Sequence, residues 1–172
     1  MNLIRIALLI LTVSMLLSCG FQLRGSQHLP AVMQKTFVKA EVPYSSMSTA
    51  MRNQLQAIGI EVPSIDDNAT ATIQILSHRS DRRVLSVGSS GKATEYELFE
   101  EIKFRLLDAQ QRELIEPQVL RVTRDYVFDE TRLLGKFQEA DQIREQMREE
   151  LAQRVLSRIE TRLQQKNGPD LP

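Results

Sequence analysis

The sequence lacks most of the side chains on which enzymes and metal proteins depend. Its 172 residues include no tryptophan, one cysteine and two histidines. A single cysteine excludes an internal disulfide and a cysteine-rich zinc site. The 22 basic and 22 acidic side chains cancel, which argues against a general nucleic-acid binder, because such proteins need excess Lys and Arg to displace counterions. The composition predicts a protein that is not an enzyme, with no metal and no cofactor.

The sequence does contain enough apolar material for one globular core. Hydrophobic residues make up 42% of the chain, which is ordinary for a globular protein, and the length is typical of one domain. We expect a signal peptide over residues 1–18, a lead-in over 19–34, a single domain over 35–166 and a flexible tail over 167–172.

The first residues have the pattern of a bacterial secretory signal. Arg5 precedes an apolar segment from Ala7 to Leu17, which is too short to cross a bilayer, since crossing takes about 20 residues. The segment Leu16-Leu17-Ser18-Cys19 resembles the bacterial lipobox, in which the cysteine thiol accepts a diacylglycerol. We therefore predict that Cys19 is lipidated and that the lipid is a stable membrane anchor, as two or more acyl chains are.

The alternatives for Cys19 are a small core residue and a residue lost at an ordinary signal-peptide cut. Gly20 follows it, in place of the aspartate that tends to hold lipoproteins of enteric bacteria at the inner membrane. The predicted localisation is the periplasmic side of the outer membrane.

The first part of the domain has a strand pattern followed by a helix pattern. Alternation from Lys35 to Val42 predicts a strand, and Ser45 and Ser46 are candidates for the N-cap of a helix. The helix would bury an apolar stripe and end at Gly59. The stripe consists of Met47, Met51, Leu55 and Ile58.

The middle of the chain predicts three strands joined in two long hairpins. The first strand is predicted from two segments, Ala69 to Ile75 and Arg82 to Val87. The residues Gly88-Ser89-Ser90-Gly91 follow and are typical of a turn. The second runs from Tyr96 to Leu106, with Glu100 breaking its apolar face, and ends at the polar turn Asp108 to Arg112. The third runs from Leu120 to Phe128, and Pro117 indicates that it starts late or lies at an edge.

The last element is a long amphipathic helix. Apolar residues step by three or four from Phe137 to Leu163, which predicts a helix of about seven turns, and Asn167-Gly168-Pro169 ends it. The order β-α-β-β-β-α predicts an α+β fold with two amphipathic helices packed on a roughly four-stranded sheet.

Basic residues collect around the first hairpin turn. Arg79, Arg82, Arg83 and Lys92 outnumber Asp81 there, and Lys136 lies just before the long helix. Such charges can bind lipid phosphates, and the alternative is a basic edge that blocks strand aggregation.

A hydrolase site at His78, Ser80 and Asp81 is disfavoured. Residues this close on one strand are not expected to converge on a substrate, because neighbours point to opposite faces. We predict His78 to be a surface residue of the hairpin and assign no catalytic residue.

Several short motifs, in order, resemble the LptE family, the lipopolysaccharide-assembly lipoproteins of Gram-negative outer membranes. They are Cys19-Gly20-Phe21-Gln22-Leu23-Arg24, Arg52-Asn53-Gln54-Leu55, Thr94-Glu95-Tyr96, Asp125-Tyr126-Val127-Phe128 and Leu134-Gly135-Lys136. The resemblance implies a fold of two helices on a four-stranded sheet. It also implies a subunit that plugs the barrel of LptD, assists the barrel's assembly and binds lipopolysaccharide for insertion into the outer leaflet.

The resemblance also implies which residues bind lipopolysaccharide. Lys136 matches a lysine implicated in the family, whereas the family's arginine before the turn glycine aligns with Ser89, so Lys92 is the hypothetical substitute. Arg82 and Arg83 complete the candidates. The rival interpretations are a stand-alone periplasmic lipid carrier or chaperone and an anchored hydrolase.

Overall fold

The computed structural model describes residues 29–66, 68–128 and 133–167. They form a short 3-10 helix (Ala31–Met33), β1 (Thr36–Ala40), α1 (Ser46–Ala57), β2 (Ala71–Val87), β3 (Ala93–Asp108), β4 (Glu113–Val127) and α2 (Leu133–Asn167). The predicted element order and α+β class are confirmed.

The four strands form one mixed sheet in the order β1-β2-β3-β4. β1 lies parallel to β2, and the two hairpins are antiparallel. Thr36 is opposite Ala71, which is in turn opposite Asp108. The chain therefore enters the sheet at the end that carries the second hairpin turn, and the Gly88–Gly91 turn lies at the other end.

The first helix begins and ends as the sequence predicts. Ser45 is its N-cap, and the Ser45 side chain accepts a hydrogen bond from the backbone N–H of Ser48 at 3.3 Å. Met47, Met51 and Leu55 are fully buried, because helical spacing places them on one face. After the helix, Gly59 has a φ of +82°, a conformation that glycine adopts without steric cost.

The hairpins are more continuous than predicted. The two segments of the first strand form one strand, β2, with a register shift between Ile75 and Ser77. β4 begins at Glu113, so a late start after Pro117 is wrong, and its place at the sheet edge is confirmed. Pro117 falls where the pairing of β4 with β3 shifts register, which is a position that does not need its missing N–H.

The long helix covers one face of the sheet. α2 starts at Leu133, one turn earlier than predicted, and includes Gly135 in its first turn. Its buried residues pack with α1 and the helix-facing side of the strands in one core. The larger members of that core are Met33, Met47, Met51, Leu55, Ile73, Leu98, Ile102, Phe104, Leu106, Met147, Leu151 and Leu156.

Candidate functional site at the hairpin tip

The first hairpin ends in a tight, hydrogen-bonded turn. The backbone N–H of Gly88 donates to the carbonyl of Lys92 at 2.8 Å, and the N–H of Gly91 donates to the carbonyl of Gly88 at 2.9 Å. Gly91 has a φ of +77°, which explains the glycine at this position. We call this turn, together with residues 82–87 of β2 and 92–98 of β3, the hairpin tip.

Arg82 lies on the helix-facing side of the hairpin tip. Its guanidinium carbon is 4.7 Å from the centroid of the Tyr96 ring, a distance typical of cation–π contacts. Tyr96 in turn packs edge-on against Phe128, with ring centroids 5.7 Å apart. These contacts hold the cation in place while leaving the Arg82 residue exposed.

Arg83 lies on the opposite face, because neighbouring strand residues point to opposite sides. Its Nε is 2.8 Å from Oε1 of Glu97, and the Arg83 side chain remains 64% exposed. Glu95 is also opposite β2, at Ser86. Acids on β3 therefore offset part of the positive charge that the sequence window around the turn predicts.

The structure brings three of the predicted lipopolysaccharide-binding residues to one hairpin, but not to one face of it. Lys92 lies in the turn itself, beyond both arginines. Lys136 is in the first turn of α2, and its side chain lies outside the described residues. Cys19 lies outside them as well. Lipopolysaccharide binding by Lys136 and lipidation of Cys19 stay predictions.

Exposed apolar side chains flank the turn and were missed in the sequence analysis. Val84, Leu85 and Val87 are 51%, 43% and 59% exposed, and Val127 on β4 is 62% exposed. The signal was present in the sequence, where Val84 and Leu85 are adjacent and cannot both face a core. The hairpin tip therefore presents cations and apolar groups together.

The predicted surface position of His78 is wrong. Its side chain is 19% exposed and contacts the fully buried Glu100 through Nε2, at 2.5 Å from Oε2. The hydroxyl of Ser80 donates to the other carboxylate oxygen at 2.7 Å. The two side chains do converge, because residues two apart on a strand share a face.

This convergence does not resemble a hydrolase site. In a Ser-His-acid triad the serine hydroxyl donates to the histidine, which the acid orients. Here Ser80 donates to Glu100 itself, and His78 contacts the other oxygen of the same carboxylate. Arg148 from α2 also approaches Glu100, at 3.3 Å. The arrangement satisfies a buried carboxylate and ties the long helix to the sheet.

The face of the sheet opposite the helices carries paired charges and a stacked aromatic ring. The Phe99 ring lies between the guanidinium groups of Arg79 and Arg121, whose carbons are 6.0 Å and 5.0 Å from its centroid. Arg121 also pairs with Glu101 at 2.6 Å. Cation–π contacts and ion pairs therefore link charged side chains of β2, β3 and β4 on this face.

Within residues 29–66, 68–128 and 133–167, no group of three or more His, Cys, Asp or Glu side chains is placed to hold a metal ion. No helix in those ranges is long and apolar enough to cross a membrane.

The fold is shared with solved bacterial lipoproteins. The chain is similar to a solution structure of lipoprotein B from Nitrosomonas europaea, with a TM-score of 0.69 and 26% identity over 88% of this chain and 99% of that one. It also resembles the crystal structure of rare lipoprotein B from Shewanella oneidensis, with a TM-score of 0.63 and 21% identity over 74% and 94% of the two chains. These likenesses define a class of small α+β bacterial lipoproteins.

The sequence comparisons give the family within that class. The family model described as "Lipopolysaccharide-assembly" LptE matches residues 34–159. An LPS-assembly lipoprotein LptE from Pectobacterium atrosepticum is 28% identical over 82% of this chain and 77% of its own length, and one from Yersinia enterocolitica is 26% identical over 82% and 69%. The chain belongs to the LptE family of lipopolysaccharide-assembly lipoproteins.

Proposed function

We propose that the protein is a non-enzymatic outer-membrane lipoprotein, anchored by lipid on Cys19, that plugs the LptD barrel and assists its assembly. We further propose that it binds lipopolysaccharide at the hairpin tip. Family membership supports a role in lipopolysaccharide assembly. The observation that carries the proposal is the joint exposure of cations and apolar side chains at that tip.

The chemistry of the hairpin tip matches an anionic amphiphile. Arginine and lysine side chains complement phosphate groups, arginine through two parallel hydrogen bonds and lysine as a point charge. Val84 and Val87 expose apolar surface close to Arg82 and Arg83, and burying such surface against acyl chains is favourable. Lys92 and Lys136 are the remaining candidate cations.

The direction of the sheet fits a tethered plug. The chain enters β1 at the end of the sheet that carries Asp108, so we take this end as the one to which the lipidated lead-in is joined. β3 spans Ala93–Asp108, and at about 3.3 Å per residue this separates the hairpin tip from the tethered end by about 50 Å. A protein held at the inner surface of a membrane can thus extend its tip into a barrel.

The surface also fits a barrel lumen. The interior of a wide barrel is polar, so a plug needs charges of both signs on its outside. The open face of the sheet has this character, with ion pairs between Arg121 and Glu101 and between Arg83 and Glu97. Each such pair reduces the number of isolated charges that would have to be desolvated inside the lumen.

The rival interpretation, a carrier that works alone, is less well supported. A carrier would bury acyl chains in an enclosed apolar cavity, and pockets for drug-sized ligands are about 300 to 1,000 Å³. The clefts found among the described residues include one of about 200 Å³ between the helices and one of about 310 Å³ beside Ile115 and Arg162. Both are open to solvent and have polar side chains in their walls, including Glu145, Arg148 and Lys166.

Two measurements test the proposal. A pull-down of the full-length lipidated protein from its native membrane in mild detergent should recover a stoichiometric, heat-modifiable barrel protein. Recovery of the protein alone, carrying lipid, would favour the solitary carrier instead.

The second measurement is the affinity for purified lipopolysaccharide. The double variant Lys92→Glu, Lys136→Glu should bind at least tenfold more weakly, with an unchanged circular dichroism spectrum. Lys103→Glu is the matched control, because Lys103 is exposed in the other half of β3. Equal affinity of the double variant and the control would remove Lys92 and Lys136 from the proposed site.

A further inference from the structure

The outer edge of β2 is open along most of its length. β1 pairs with β2 only from Ala71 to Ile75, while β2 continues to Val87. Within the described ranges, no other strand pairs with that side of β2. We call residues 77–87 of β2 the open edge; at about 3.3 Å per residue it is about 35 Å long.

The open edge is accessible on both faces as well as from the side. Every residue from Arg79 to Leu85 is exposed, an unusual run for a strand in a helix-covered sheet. Edge strands offer unpaired N–H and C=O groups, and proteins normally shorten, bulge or cover such edges. The opposite edge of this sheet is interrupted at Pro117. The open edge contains no proline, and its register shifts lie at its two ends, so pairing with β3 is continuous from Ser77 to Val84.

The backbone N–H of Arg82 shows that the open edge has a hydrogen-bond donor on the side away from β3. The N–H of Arg82 donates to the Asp81 side chain at 2.8 Å, so this N–H is directed away from β3. In the free protein the Asp81 carboxylate accepts this hydrogen bond. When a strand is added, a backbone carbonyl of that strand can accept it instead.

A cleft lies beside the open edge at the end that begins with Ser77. This cleft of about 250 Å³ lies between residues 40–42 and residues 75–78, where β1 leaves the sheet. Val42 beside it is 62% exposed. An added strand would continue the line of β1 from this cleft towards the hairpin tip.

We propose that the open edge binds an extended, acidic segment of a partner protein as an additional strand of the sheet. Main-chain hydrogen bonds would supply affinity, and side chains on alternate positions would supply specificity. Along β2 the edge carries Arg79, Arg82 and Arg83 against the acid Asp81, and Glu97 on β3 offsets Arg83. The positive charge that remains favours carboxylates in the middle of the segment. Val84 and Val87 select β-branched or other apolar residues at the end near the hairpin tip.

Charge also argues against the two other occupants. A second copy of this chain would set the arginine-rich edge against itself, and like charges on neighbouring strands are destabilising. The chain's own residues 19–28 include Arg24 and no acidic residue. This inference goes beyond the proposed function and does not depend on it.

The experiment uses the full-length protein in detergent and three labelled peptides of 11 residues. The first peptide alternates glutamate with threonine and valine, the second has the same sequence with every backbone amide N-methylated, and the third has lysine in place of glutamate. We expect the first peptide to bind, and both others to bind at least tenfold more weakly. Equal binding of the N-methylated peptide would overturn the proposal, because that peptide cannot pair along its whole length.

Two protein variants separate backbone pairing from charge. Arg82→Ala removes the side chain, and Arg82→Pro removes the outward N–H as well. The proline variant should lose at least a further threefold in affinity for the first peptide. Hydrogen exchange of the unmodified protein keeps the proposal testable if the proline variant unfolds: the peptide should slow exchange of outward amides in residues 77–87, and unchanged exchange there would refute it.

The alternative occupants have distinct outcomes, each of which would overturn the proposal. Self-association with protection of the open edge would indicate a second copy. Protection that is present without peptide and lost on deletion of residues 20–28 would indicate the chain's own lead-in. Lys92→Glu with Lys136→Glu should leave peptide binding unchanged, so failure of the lipopolysaccharide proposal is distinguishable from failure of this one.

Discussion

The Nε2 atom of His78 on β2 lies 2.5 Å from Oε2 of Glu100 on β3, and the Glu100 side chain is fully buried. Ser80 donates to the other oxygen, and Arg148 reaches the same atom from α2. Three elements thus meet at one carboxylate. Among the described residues, no buried side-chain nitrogen or oxygen lacks a hydrogen-bond partner, and these three contacts satisfy the buried acid.

Removing the helix contribution to this contact should destabilise the protein. Arg148→Ala leaves the buried Glu100 carboxylate short of one donor, and an unsatisfied buried polar group costs about 1–3 kcal/mol. The free energy of unfolding, measured in urea, should fall by that amount. Arg144→Ala is the control, because Arg144 pairs with Asp141, which is 77% exposed; such surface pairs contribute about 0–1 kcal/mol. Equal losses in the two variants would contradict the role assigned to Arg148.

The cap of α1 distinguishes two adjacent serines. Ser45 accepts the N–H of Ser48, whereas Ser46 is the first exposed residue of the helix. Ser45→Ala should lower the free energy of unfolding by about 1 kcal/mol, and Ser46→Ala should change it by less than about 0.5 kcal/mol. Thermal or urea unfolding of the pair measures the difference, and a larger loss for Ser46→Ala would reverse the assignment.

The second hairpin turn should make the free energy of unfolding decrease at low pH. The backbone N–H of Arg112, its guanidinium group and the N–H of Gln110 donate to the Asp108 carboxylate and hold its pKa below the ordinary value of 3.8. A lowered pKa in the folded state contributes stability that is complete above the unfolded pKa and is lost as the pH falls through the folded one.

Asp108→Asn tests this contribution. The difference in the free energy of unfolding between the native protein and the variant should be constant above about pH 5 and shrink as the pH falls below 3.8. Asp141→Asn on the exposed side of α2 is the control. A difference that stays constant down to pH 2 would show that the carboxylate charge is not involved.

The core contact of α2 predicts a larger effect. Leu151 is fully buried, and removing a buried leucine side chain costs about 2–5 kcal/mol through lost burial and the cavity left behind. Leu151→Ala should therefore lower the urea midpoint strongly, while Gln153→Ala, at an exposed position two residues later, should leave it nearly unchanged. A small effect of Leu151→Ala would mean that α2 is only loosely packed on the sheet.

The sequence predicts the elements well because their signals are local. The apolar stripe from Met47 to Leu55 and the glycines of the turn between β2 and β3 determine the conformation of only a few neighbouring residues. Both predictions are confirmed. Glu100 and His78 could not be interpreted this way, since they are 22 residues apart along the chain and Arg148 is 48 residues from Glu100. A glutamate that breaks an apolar alternation is explained only when its partners are known.

The candidate site has the same limit. The basic residues of one sequence window can be counted, but their pairing with Glu97 and stacking on Tyr96 depend on hairpin register. The sequence predicts that the exposed valines beside them lie in a strand. It does not predict which face of the sheet they lie on. The register of β2 against β3 decides which residues of β2 face the core and which are exposed to solvent.

The parallel placement of β1 has a consequence for the order of folding. β2, β3 and β4 join through short turns, whereas β1 reaches β2 only after residues 41–70, including α1, have crossed over. Closing that longer loop costs more chain entropy than closing either turn. We expect the three-stranded meander to gain protected amides first and β1 with α1 to dock onto it afterwards, so that the first strand of the domain is the last to become native.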